Sequence, residues 1–347
     1  MTNKSILMIS NFLPQPKFNK NIWHSLAERL SETGWDVITT SDKINRVHRL
    51  LDMIWCIWRE RRRFKVAQID VFSGKAFLFA EVSCKLLQLI KQPIVLTLHG
   101  GGLPEFAAKH PHRMKNLLQA GDRVATPSDF LKNELKSFHS NIQVIPNPVD
   151  ISHAIYRKRD KAEPKLIWVR AFHTIYNPLM AIDVLRRLKP IFPQIHLTMV
   201  GPDKRDHSLK SMMVTVKNFG LQNQVRLRLG VDHKEIPILL NNADIFINTS
   251  NYDTFPRSII EAMANGLCVV TTNVGGIPYL ANNREEALLV PPGEPVQMAA
   301  AIRQIIENEE LAQRLSINAR KRAEKYDWSA ILPQWEELFC EVIDTHY

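Results

Sequence analysis

Short segments rich in β-branched and apolar residues alternate along this sequence with longer amphipathic segments, and the alternation occurs in two runs. In the amphipathic segments apolar residues recur three or four positions apart, which predicts helices between the strands. Strands that alternate with helices predict an α/β fold in which helices cover both faces of a parallel sheet. The predicted strands are 5–10, 36–40, 69–72, 94–100, 123–128 and 142–147 in the first run, and 166–171, 196–201, 225–230, 244–250, 268–273 and 287–291 in the second.

The two runs are separated by a polar, charged segment, 147–165, with prolines near both ends and the composition of a linker. A length of 347 residues is sufficient for two domains, each with its own core. We expect a Rossmann-like domain over 1–155 and a second over 156–327, with a C-terminal helix at about 328–347 that packs back on the first. Two doubly wound sheets that face each other would bind ligands in the cleft at their carboxyl ends, although neither run contains a GxGxxG fingerprint.

Positive charge is concentrated in the first half of the chain. Residues 1–150 contain 21 lysines and arginines against 13 aspartates and glutamates, whereas residues 151–347 contain 24 against 22. A basic half suits an anionic membrane surface, a phosphorylated substrate or nucleic acid, and the last is least favoured because no aromatic-interleaved basic motif is present. No stretch approaches the roughly 20 apolar residues that cross a bilayer. The N-terminal residues do not resemble a secretory signal, so we expect a soluble or peripherally bound protein.

The cysteines are far apart in the sequence and form no CxxC pair. Each has apolar neighbours, which predicts buried free thiols in a reducing cytoplasm and gives no reason to expect a structural zinc site. The four are Cys56, Cys84, Cys268 and Cys340.

The segment "NYDTFPRSIIEAMANG" places two carboxylates, Asp253 and Glu261, on either side of a proline. Pro256 disfavours helix in the residue before it and suits the start of a helix, so Asp253 is expected in a loop and Glu261 inside the helix. The two carboxyl groups would be on the order of 10 Å apart, given about 1.5 Å of rise per helical residue. This spacing is too wide for an acid and a base at one bond, but it suits an extended ligand with hydroxyl groups at both ends.

Backbone amides of Thr254, Phe255 and the first helical turn lie between the two carboxylates in this arrangement. Amides at a helix N-terminus favour negative charge. A nucleotide sugar has the matching order of groups, because sugar hydroxyls, a diphosphate and ribose hydroxyls follow one another.

The string "DTFPRSIIEAMANGLCVVTTNVGGIPYLA…ALLVPPGEP", within about 243–295, resembles the signature of the retaining glycosyltransferases of family four, which have the GT-B fold. That signature has two acids separated by seven residues, then Ala-Met-Ala, a glycine, a strand, Gly-Gly-Ile-Pro and a strand that ends in Pro-Pro-Gly. Looser similarity extends over "TLHGGG", "PSDFLKNEL", "IPNPVD" and "YDWSAILPQWEEL". The resemblance implies a metal-independent, retaining hexosyltransferase that uses a nucleotide-diphosphate sugar as donor substrate and needs no cofactor.

The resemblance also implies roles for the polar residues that match the family's motifs. Glu261 would accept from the ribose hydroxyls of the donor, and Asp253, in place of the family's first glutamate, would contact the transferred sugar. Arg170, at the end of a predicted strand, would hold the diphosphate. His99 would lie near the reacting carbon of the donor sugar, beside Gly100, where a glycine allows the backbone to approach a ligand closely.

The remaining donor contacts are expected at the loops that follow the strands. The family's lysine about five residues after the arginine is absent, and Ile175 and Tyr176 stand there instead. His233 is interpreted as a structural residue that holds a loop. The other donor-binding candidates are Asn177, Thr254, Phe255 and Pro256, and the candidates for phosphate or acceptor contacts are Lys20, Lys204 and Arg205.

Two other functions remain open at this point. A catalytically degenerate GT-B protein that acts as a binding or complex subunit would explain the absent lysine and the aspartate in place of glutamate. A nucleotide-sugar epimerase would share the two-domain architecture, although the Ala-Met-Ala string after the paired acids favours transfer.

The segment from about 44 to 65 mixes aliphatic residues and two tryptophans with a cluster of arginines. Tryptophan beside cations is typical of a lipid-headgroup interface, to which each cation contributes about 1 kcal/mol. We therefore expect peripheral attachment to the cytoplasmic face of the cell membrane and a sugar or lipid-linked acceptor, as in cell-surface glycan or glycolipid assembly. The alternative is that Trp55 and Trp58 pack against the sheet and the arginines only maintain solubility.

Overall fold

The computed structural model describes residues 4–13 and 22–346. The chain divides into two compact units: unit 1 comprises Met1–Pro148 and Trp328–Tyr347, and unit 2 comprises Val149–Asp327. The division after Pro148 falls within the segment that has linker composition.

Unit 1 contains a six-stranded sheet in which all neighbouring strands are parallel, in the order β2-β1-β3-β4-β5-β6. Strand order reverses between β1 and β3, so the carboxyl ends of these two strands form the switch point of the sheet. The elements are β1 (Ser5–Ile9), α1 (Ile22–Glu32), β2 (Asp36–Thr40), α2 (Arg46–Glu60), β3 (Val66–Val71), α3 (Phe77–Leu89), β4 (Ile94–Leu98), α4 (Leu103–Lys109), α5 (Pro111–Ala120), β5 (Arg123–Thr126), α6 (Asp129–Leu135) and β6 (Ile142–Val144).

Unit 2 contains a second six-stranded parallel sheet, in the order β12-β11-β10-β7-β8-β9, whose switch point lies between β7 and β10. The elements are β7 (Lys165–Val169), α7 (Pro178–Leu188), β8 (His196–Val200), α8 (Ser208–Asn218), β9 (Val225–Arg228), α9 (Ile236–Asn241), β10 (Ile245–Asn248), α10 (Arg257–Ala264), β11 (Cys268–Thr272), α11 (Ile277–Leu280), β12 (Ala287–Val290), α12 (Pro295–Glu307) and α13 (Glu309–Glu324). The last helix, α14 (Trp328–His346), belongs to unit 1.

Successive residues of a strand point to opposite faces of its sheet, so each sheet separates two apolar cores. In β1, Ile6 and Met8 pack with α1 and α14, whereas Leu7 and Ile9 pack with α2, α3 and α5. In unit 2, α7, α8 and α12 cover one face of the sheet, and α9 and α10 cover the other. Both faces of each sheet are thus buried, as the near-continuous apolar strands predict.

The predicted fold class, two doubly wound parallel sheets flanked by helices, is confirmed, and each of the twelve predicted strands corresponds to an observed one. Three of the cysteines are buried free thiols as expected, but Cys340 is only partly buried. Within residues 4–13 and 22–346 no helix has both the length and the apolar character that a membrane span requires.

Candidate active site

The switch point of unit 2 brings an arginine and an aspartate together. Arg170 directly follows β7 and Asp253 lies in the loop after β10, the strand beside β7. The guanidinium Nη2 of Arg170 donates to Asp253 Oδ2. The Cζ atom of the same guanidinium lies 4.8 Å from the ring centroid of Tyr176. The Arg170 side chain is only 14% exposed, so this cation is fixed in place by an ion pair on one edge and an aromatic ring on its face.

Two buried polar atoms close to this loop lack hydrogen-bond partners within the described part of the chain. They are Nε of Arg170 and Oγ of Ser258, which lies in the first turn of α10. No described side chain caps the start of α10, where Pro256 is the N-cap residue. Buried polar groups are rarely left unpaired, so these two atoms mark an unsatisfied polar spot beside the start of α10.

The loop that carries Asp253 is held by the Gly-Gly pair of the motif. Gly276 N–H donates to the carbonyl of Asp253 at 2.9 Å, and a Cβ on Gly276 would overlap with the carbonyl of Thr254. Phe255 N–H donates to Asp253 Oδ1 at 3.2 Å. Burial raises the pKa of Asp253, while the Arg170 charge and the backbone amides act against that rise. The aspartate is therefore placed by the backbone around it.

The loop after β8 lies beside the loop that carries Arg170, because β8 is the other neighbour of β7. A Cβ on Gly201 would overlap with the Arg170 carbonyl, so the two loops meet only because residue 201 is glycine. Lys204 N–H donates to the carbonyl of Phe172 at 3.2 Å. The side chains of Lys204 and Arg205 are exposed, and no ion pair to either is found in the described ranges.

Asn177 starts α7 in a left-handed conformation, with φ 48° and ψ 60°, and its side chain accepts from Met180 N–H at 3.2 Å. The turn before it is tied to the loop after β10, because Asn251 N–H donates to the carbonyl of Ile175 at 2.7 Å. Ile175, which stands near the position of the family's lysine, is partly exposed and supplies no charge.

Glu261 lies on α10 and contacts His233. From the sequence, His233 was predicted only to hold a loop. The Nε2 atom of His233 is 3.3 Å from Oε1 of Glu261. Burial alone would raise the pKa of Glu261, but the hydrogen bond from His233 and the charges of His233, Arg257 and Arg170 together lower it. The same hydrogen bond raises the pKa of His233. No motif pointed to His233, since the contact depends on how the loop after β9 meets α10.

A cavity of about 480 Å³ in unit 2 is bordered by Glu261 and His233. Ile151, Ile155 and Ile236 contribute to its apolar wall. A cavity of this size, lined by apolar side chains together with several polar ones, is typical of a small-molecule site.

In unit 1, His99 follows β4 and is nearly buried, with its ring between Trp23 and Phe72 at centroid distances of 4.8 Å and 5.4 Å. Its Nε2 atom lies 3.2 Å from Asp70 Oδ1, within ion-pair distance but outside hydrogen-bond geometry. Gly100 follows with φ +87°, and no atom of the described residues lies within 4 Å of the place where a Cβ would stand.

The Asp70 carboxylate is buried and has further partners, which the sequence did not suggest. Ser10 Oγ donates to Oδ2, and Gln68 Nε2 donates to Oδ1 at 2.7 Å and lies 3.0 Å from Oγ1 of Thr97. Carboxylates are rarely buried unless they are paired, so this network fixes Asp70 beside His99.

Helix α2 exposes a row of apolar side chains at helical spacing, which we call the α2 stripe: Val47, Leu51, Trp55 and Trp58. Trp55 and Trp58 are 56% and 51% exposed, so the alternative in which they pack against the sheet is wrong. Arg59 lies 4.2 Å from the ring centroid of Trp55, and Arg61 lies 4.3 Å from that of Trp58.

The structure thus brings together Arg170 and Asp253, places Thr254, Phe255 and Pro256 between Asp253 and α10, and sets Asn177 in the adjoining turn. His99 and Gly100 lie in unit 1, and Lys20 lies outside the described residues. Within the described ranges, no group of three or more histidine, cysteine, aspartate or glutamate side chains is arranged to hold a metal ion.

Family models match nearly the whole chain: that of the glycosyl transferases group 1 matches residues 153–322, and that of Glycosyltransferase Family 4 matches residues 20–153. The chain is 25% identical over 285 residues to a glycogen synthase of Mycobacterium tuberculosis, a match that covers 78% of this chain and 68% of the relative.

Solved structures give the same result for the fold. Sucrose-phosphate synthase from Thermosynechococcus elongatus superposes with a TM-score of 0.79 at 20% identity, over 99% of this chain and 100% of that one. Anabaena HepE in complex with UDP and glucose superposes with a TM-score of 0.73 at 20% identity, over 97% and 100%. The two family models and the shared GT-B fold lead to one conclusion: the chain is a glycosyltransferase and belongs to the group 1 and family 4 transferases.

Proposed function

We propose that this glycosyltransferase is a retaining, metal-independent hexosyltransferase that moves a sugar from a nucleotide-diphosphate sugar to a hydroxyl acceptor. The observation that carries this proposal is the group at the switch point of unit 2. There the Arg170 guanidinium is fixed by Asp253 and Tyr176, and its Nε atom has no hydrogen-bond partner within residues 4–13 and 22–346. A diphosphate accepts from a guanidinium through charge-assisted hydrogen bonds.

In the proposed reaction the acceptor hydroxyl approaches the sugar on the face from which the diphosphate leaves. The bond between the anomeric carbon and the phosphate oxygen breaks, the bond to the acceptor oxygen forms, and the acceptor proton moves to the departing phosphate oxygen. No strong protein base is then needed. Arg170 and the amides at the start of α10 stabilise the charge that develops on the diphosphate, and the fixed geometry supplies the rest of the catalysis.

Glu261 is placed at the nucleoside end of the donor, where its carboxylate accepts from the ribose hydroxyls. The pKa of Glu261 is lowered, so it remains an acceptor at neutral pH. The apolar cavity beside it accommodates part of the nucleoside. Anabaena HepE, which has the same fold, has been solved with UDP and glucose, and this favours UDP as the first nucleotide to test.

The absent lysine leaves one positive charge fewer at the leaving group than the family pattern has. Lys204 and Arg205 are the candidates to replace it, because the loop that contains them bonds to the backbone two residues after Arg170. If neither contributes, turnover is slow, and the chain approaches the alternative of a binding subunit.

The acceptor side is assigned to unit 1, together with peripheral attachment to the cytoplasmic membrane face. The α2 stripe and its arginines support this assignment, because exposed tryptophans beside cations suit a lipid-headgroup interface. The proposed acceptor is a sugar or lipid-linked hydroxyl compound of cell-surface glycan or glycolipid assembly. Sedimentation with anionic and with neutral vesicles at two salt concentrations tests the attachment, and equal failure to bind both kinds would refute it.

A thermal-shift screen against UDP-, GDP- and ADP-sugars identifies the donor, since a ligand that binds only the native state raises the melting temperature. With that donor, Glu261→Ala should weaken binding by about 1.5–3 kcal/mol while the helix remains folded, because alanine is the better helix former. Product analysis completes the test. A transferred or hydrolysed sugar with retained anomeric configuration supports the proposal, whereas an epimerised nucleotide sugar, or donor affinity unchanged in a folded Glu261→Ala variant, contradicts it.

A further inference from the structure

An apolar groove of about 610 Å³ lies in unit 1, among the starts of α2 and α3 and the helices α4 and α5. Apolar side chains that line it include Val47, Leu50, Leu78, Phe79 and Phe106. A groove of this volume in unit 1 is large enough for a ligand, and it is not used by the donor site of unit 2.

Besides His110, the polar side chains that line the groove are those of lysine and arginine. Arg46 and Lys75 are exposed at its rim, and neither has an ion-pair partner in the part of the chain that the structure describes. Arg113 also borders the groove, but its guanidinium is bound by Glu81 at 2.9 Å and 2.5 Å. An apolar channel with unpaired cations at one rim is complementary to a molecule that has a hydrocarbon chain and an anionic headgroup.

The groove is continuous with two other features of unit 1. Val47 belongs both to the groove and to the α2 stripe, so the apolar surface of the stripe extends into the groove. Phe79 also borders a small pocket that includes Asp70 and Phe72, and these two residues contact His99. The groove therefore adjoins both the exposed stripe and the pocket near the carboxyl end of β3.

We propose that this groove holds the hydrocarbon chain of the acceptor, and that the acceptor is an anionic amphiphile whose phosphate or diphosphate headgroup binds Arg46 and Lys75. This inference rests on the proposed transferase function and names the class of its acceptor. The chain lies against Leu50, Leu78 and Phe79 and leaves the protein beside the α2 stripe, where a membrane would receive it.

The test is direct binding of soluble probes, without any nucleotide sugar. Octyl phosphate and decyl phosphate, kept below their micelle concentrations, are titrated into the full chain by calorimetry, with decyl maltoside as a neutral probe and inorganic phosphate as a headgroup alone. Each added methylene should increase the affinity about fourfold, so decyl phosphate should bind more tightly than octyl phosphate. Decyl maltoside and inorganic phosphate should each bind at least tenfold more weakly.

Matched variants on α3 and in the turn before it test whether the probes bind in the groove. Leu78→Asn should weaken decyl phosphate binding at least tenfold, whereas Leu89→Asn, an exposed leucine of the same helix outside the groove, should not. Lys75→Gln should reduce affinity for decyl phosphate but not for decyl maltoside, and Lys85→Gln should change neither.

Equal losses in Leu78→Asn and Leu89→Asn, or equal affinities for the phosphate and maltoside probes, would overturn the assignment of the groove. Tight binding of inorganic phosphate alone would also overturn it, since the site would then recognise a free anion. Because no donor is present, these outcomes are independent of the donor-binding and product assays, so failure of the groove and failure of the transferase proposal can be told apart.

Discussion

The carboxyl edges of the two sheets hold their polar groups in different ways. In unit 2, Arg170 and Asp253 both lie in loops beyond the strands, and the Nε atom of Arg170 has no hydrogen-bond partner in the described part of the chain. In unit 1, Asp70 lies within β3 itself, is buried, and is surrounded by the side chains of Ser10, Gln68 and His99.

The two edges therefore differ in what their charged side chains contact. The edge of unit 2 carries its ion pair on loops beyond the strands, which backbone hydrogen bonds and the side chains of Thr249 and Asn251 hold in place. The edge of unit 1 uses its carboxylate internally, to hold one imidazole ring in position. We therefore expect substitutions in unit 2 to change the chemistry and nucleotide affinity, and those in unit 1 to change stability and the orientation of His99.

The largest effect should come from Arg170→Ala. Loss of a preorganised charge at the leaving group should lower kcat by roughly 10²–10³-fold, with a smaller change in nucleoside affinity. Arg170→Lys should recover only part of the rate, because a point charge does not make the bidentate grip of a guanidinium. Steady-state kinetics with the donor identified above provide the measurement.

A second variant separates chemistry from folding at the same position. Arg170→Ala leaves the Asp253 carboxylate without its cation, so stability also falls; Arg170→Ala combined with Asp253→Ala should restore stability but not the rate. If Arg170→Ala and Arg170→Lys both turn over at the wild-type rate, the diphosphate is held elsewhere, and Lys204 and Arg205 become the residues to test.

The next effect contrasts two glycines, one from each edge. Gly276→Ala would force its Cβ against the Thr254 carbonyl, and overpacking of this kind costs about 1–3 kcal/mol or more. In Gly100→Ala the new Cβ contacts no atom of the described residues. The free energy of unfolding should fall only by the cost of the left-handed backbone conformation, about 1–2 kcal/mol. Urea unfolding gives both values. Donor affinity should fall further in Gly276→Ala than in Gly100→Ala, since Gly276 holds the Asp253 loop; equal donor affinity in the two variants would show that the loop tolerates displacement.

The positions of the strands along the chain and of the main motif could be predicted from sequence because both depend on local pattern. Short apolar segments between longer amphipathic ones predicted the twelve strands, and Pro256 marked the change from loop to helix before α10. The Gly-Gly pair was also visible as a motif, although its physical reason, contact with the backbone of the Asp253 loop, required the structure.

The contacts that local pattern could not give join residues far apart in the chain. Asp70 carried no motif, and its position beside His99 follows from the pairing of β3 with β4. His233 meets Glu261 across 28 positions of sequence, through the packing of a loop on a helix. The exposure of Trp55 and Trp58 was undetermined as well, since a helix with apolar residues on two faces does not itself show which face meets the sheet.

A smaller effect is expected in unit 1 from Asp70→Asn. The substitution keeps the shape but turns an NH₂ group toward donors that previously met a carboxylate, so the free energy of unfolding should fall by about 1.5–3 kcal/mol. If Asp70 orients His99, kcat should also fall while KM for the donor stays constant, and the ¹⁵N shifts of the His99 ring should change. Thr97→Val, which removes only the far contact of Gln68, is the control. Unaltered His99 shifts in Asp70→Asn would limit Asp70 to a structural role.

The smallest effect is expected from His233 and Glu261 in unit 2, whose contact should make donor binding depend on pH. The pKa of His233 is raised by Glu261, so their contact is complete below the ordinary histidine pKa of about 6.5 and is lost as pH rises through the raised value. The pKa of Glu261 is lowered, mainly because His233 and the charges of Arg257 and Arg170 outweigh its burial, so its carboxylate stays ionised throughout this range. Asp232, next to His233, also favours the charged ring. Protonated His233 thus competes with the ribose hydroxyls for Glu261.

Affinity for UDP-glucose, whose diphosphate does not titrate near neutrality, should therefore rise from pH 6 to pH 8 as His233 releases Glu261. The rise should be modest, about two- to fivefold, because His233 is 56% exposed and exposed ion pairs are weak. Calorimetric titration at pH 6, 7 and 8 measures it. His233→Gln should abolish the dependence, whereas His153→Gln, a histidine that borders the same cavity, should preserve it. A pH dependence that persists in His233→Gln would assign the titration to another group and leave His233 with only the loop-holding role that its sequence suggests.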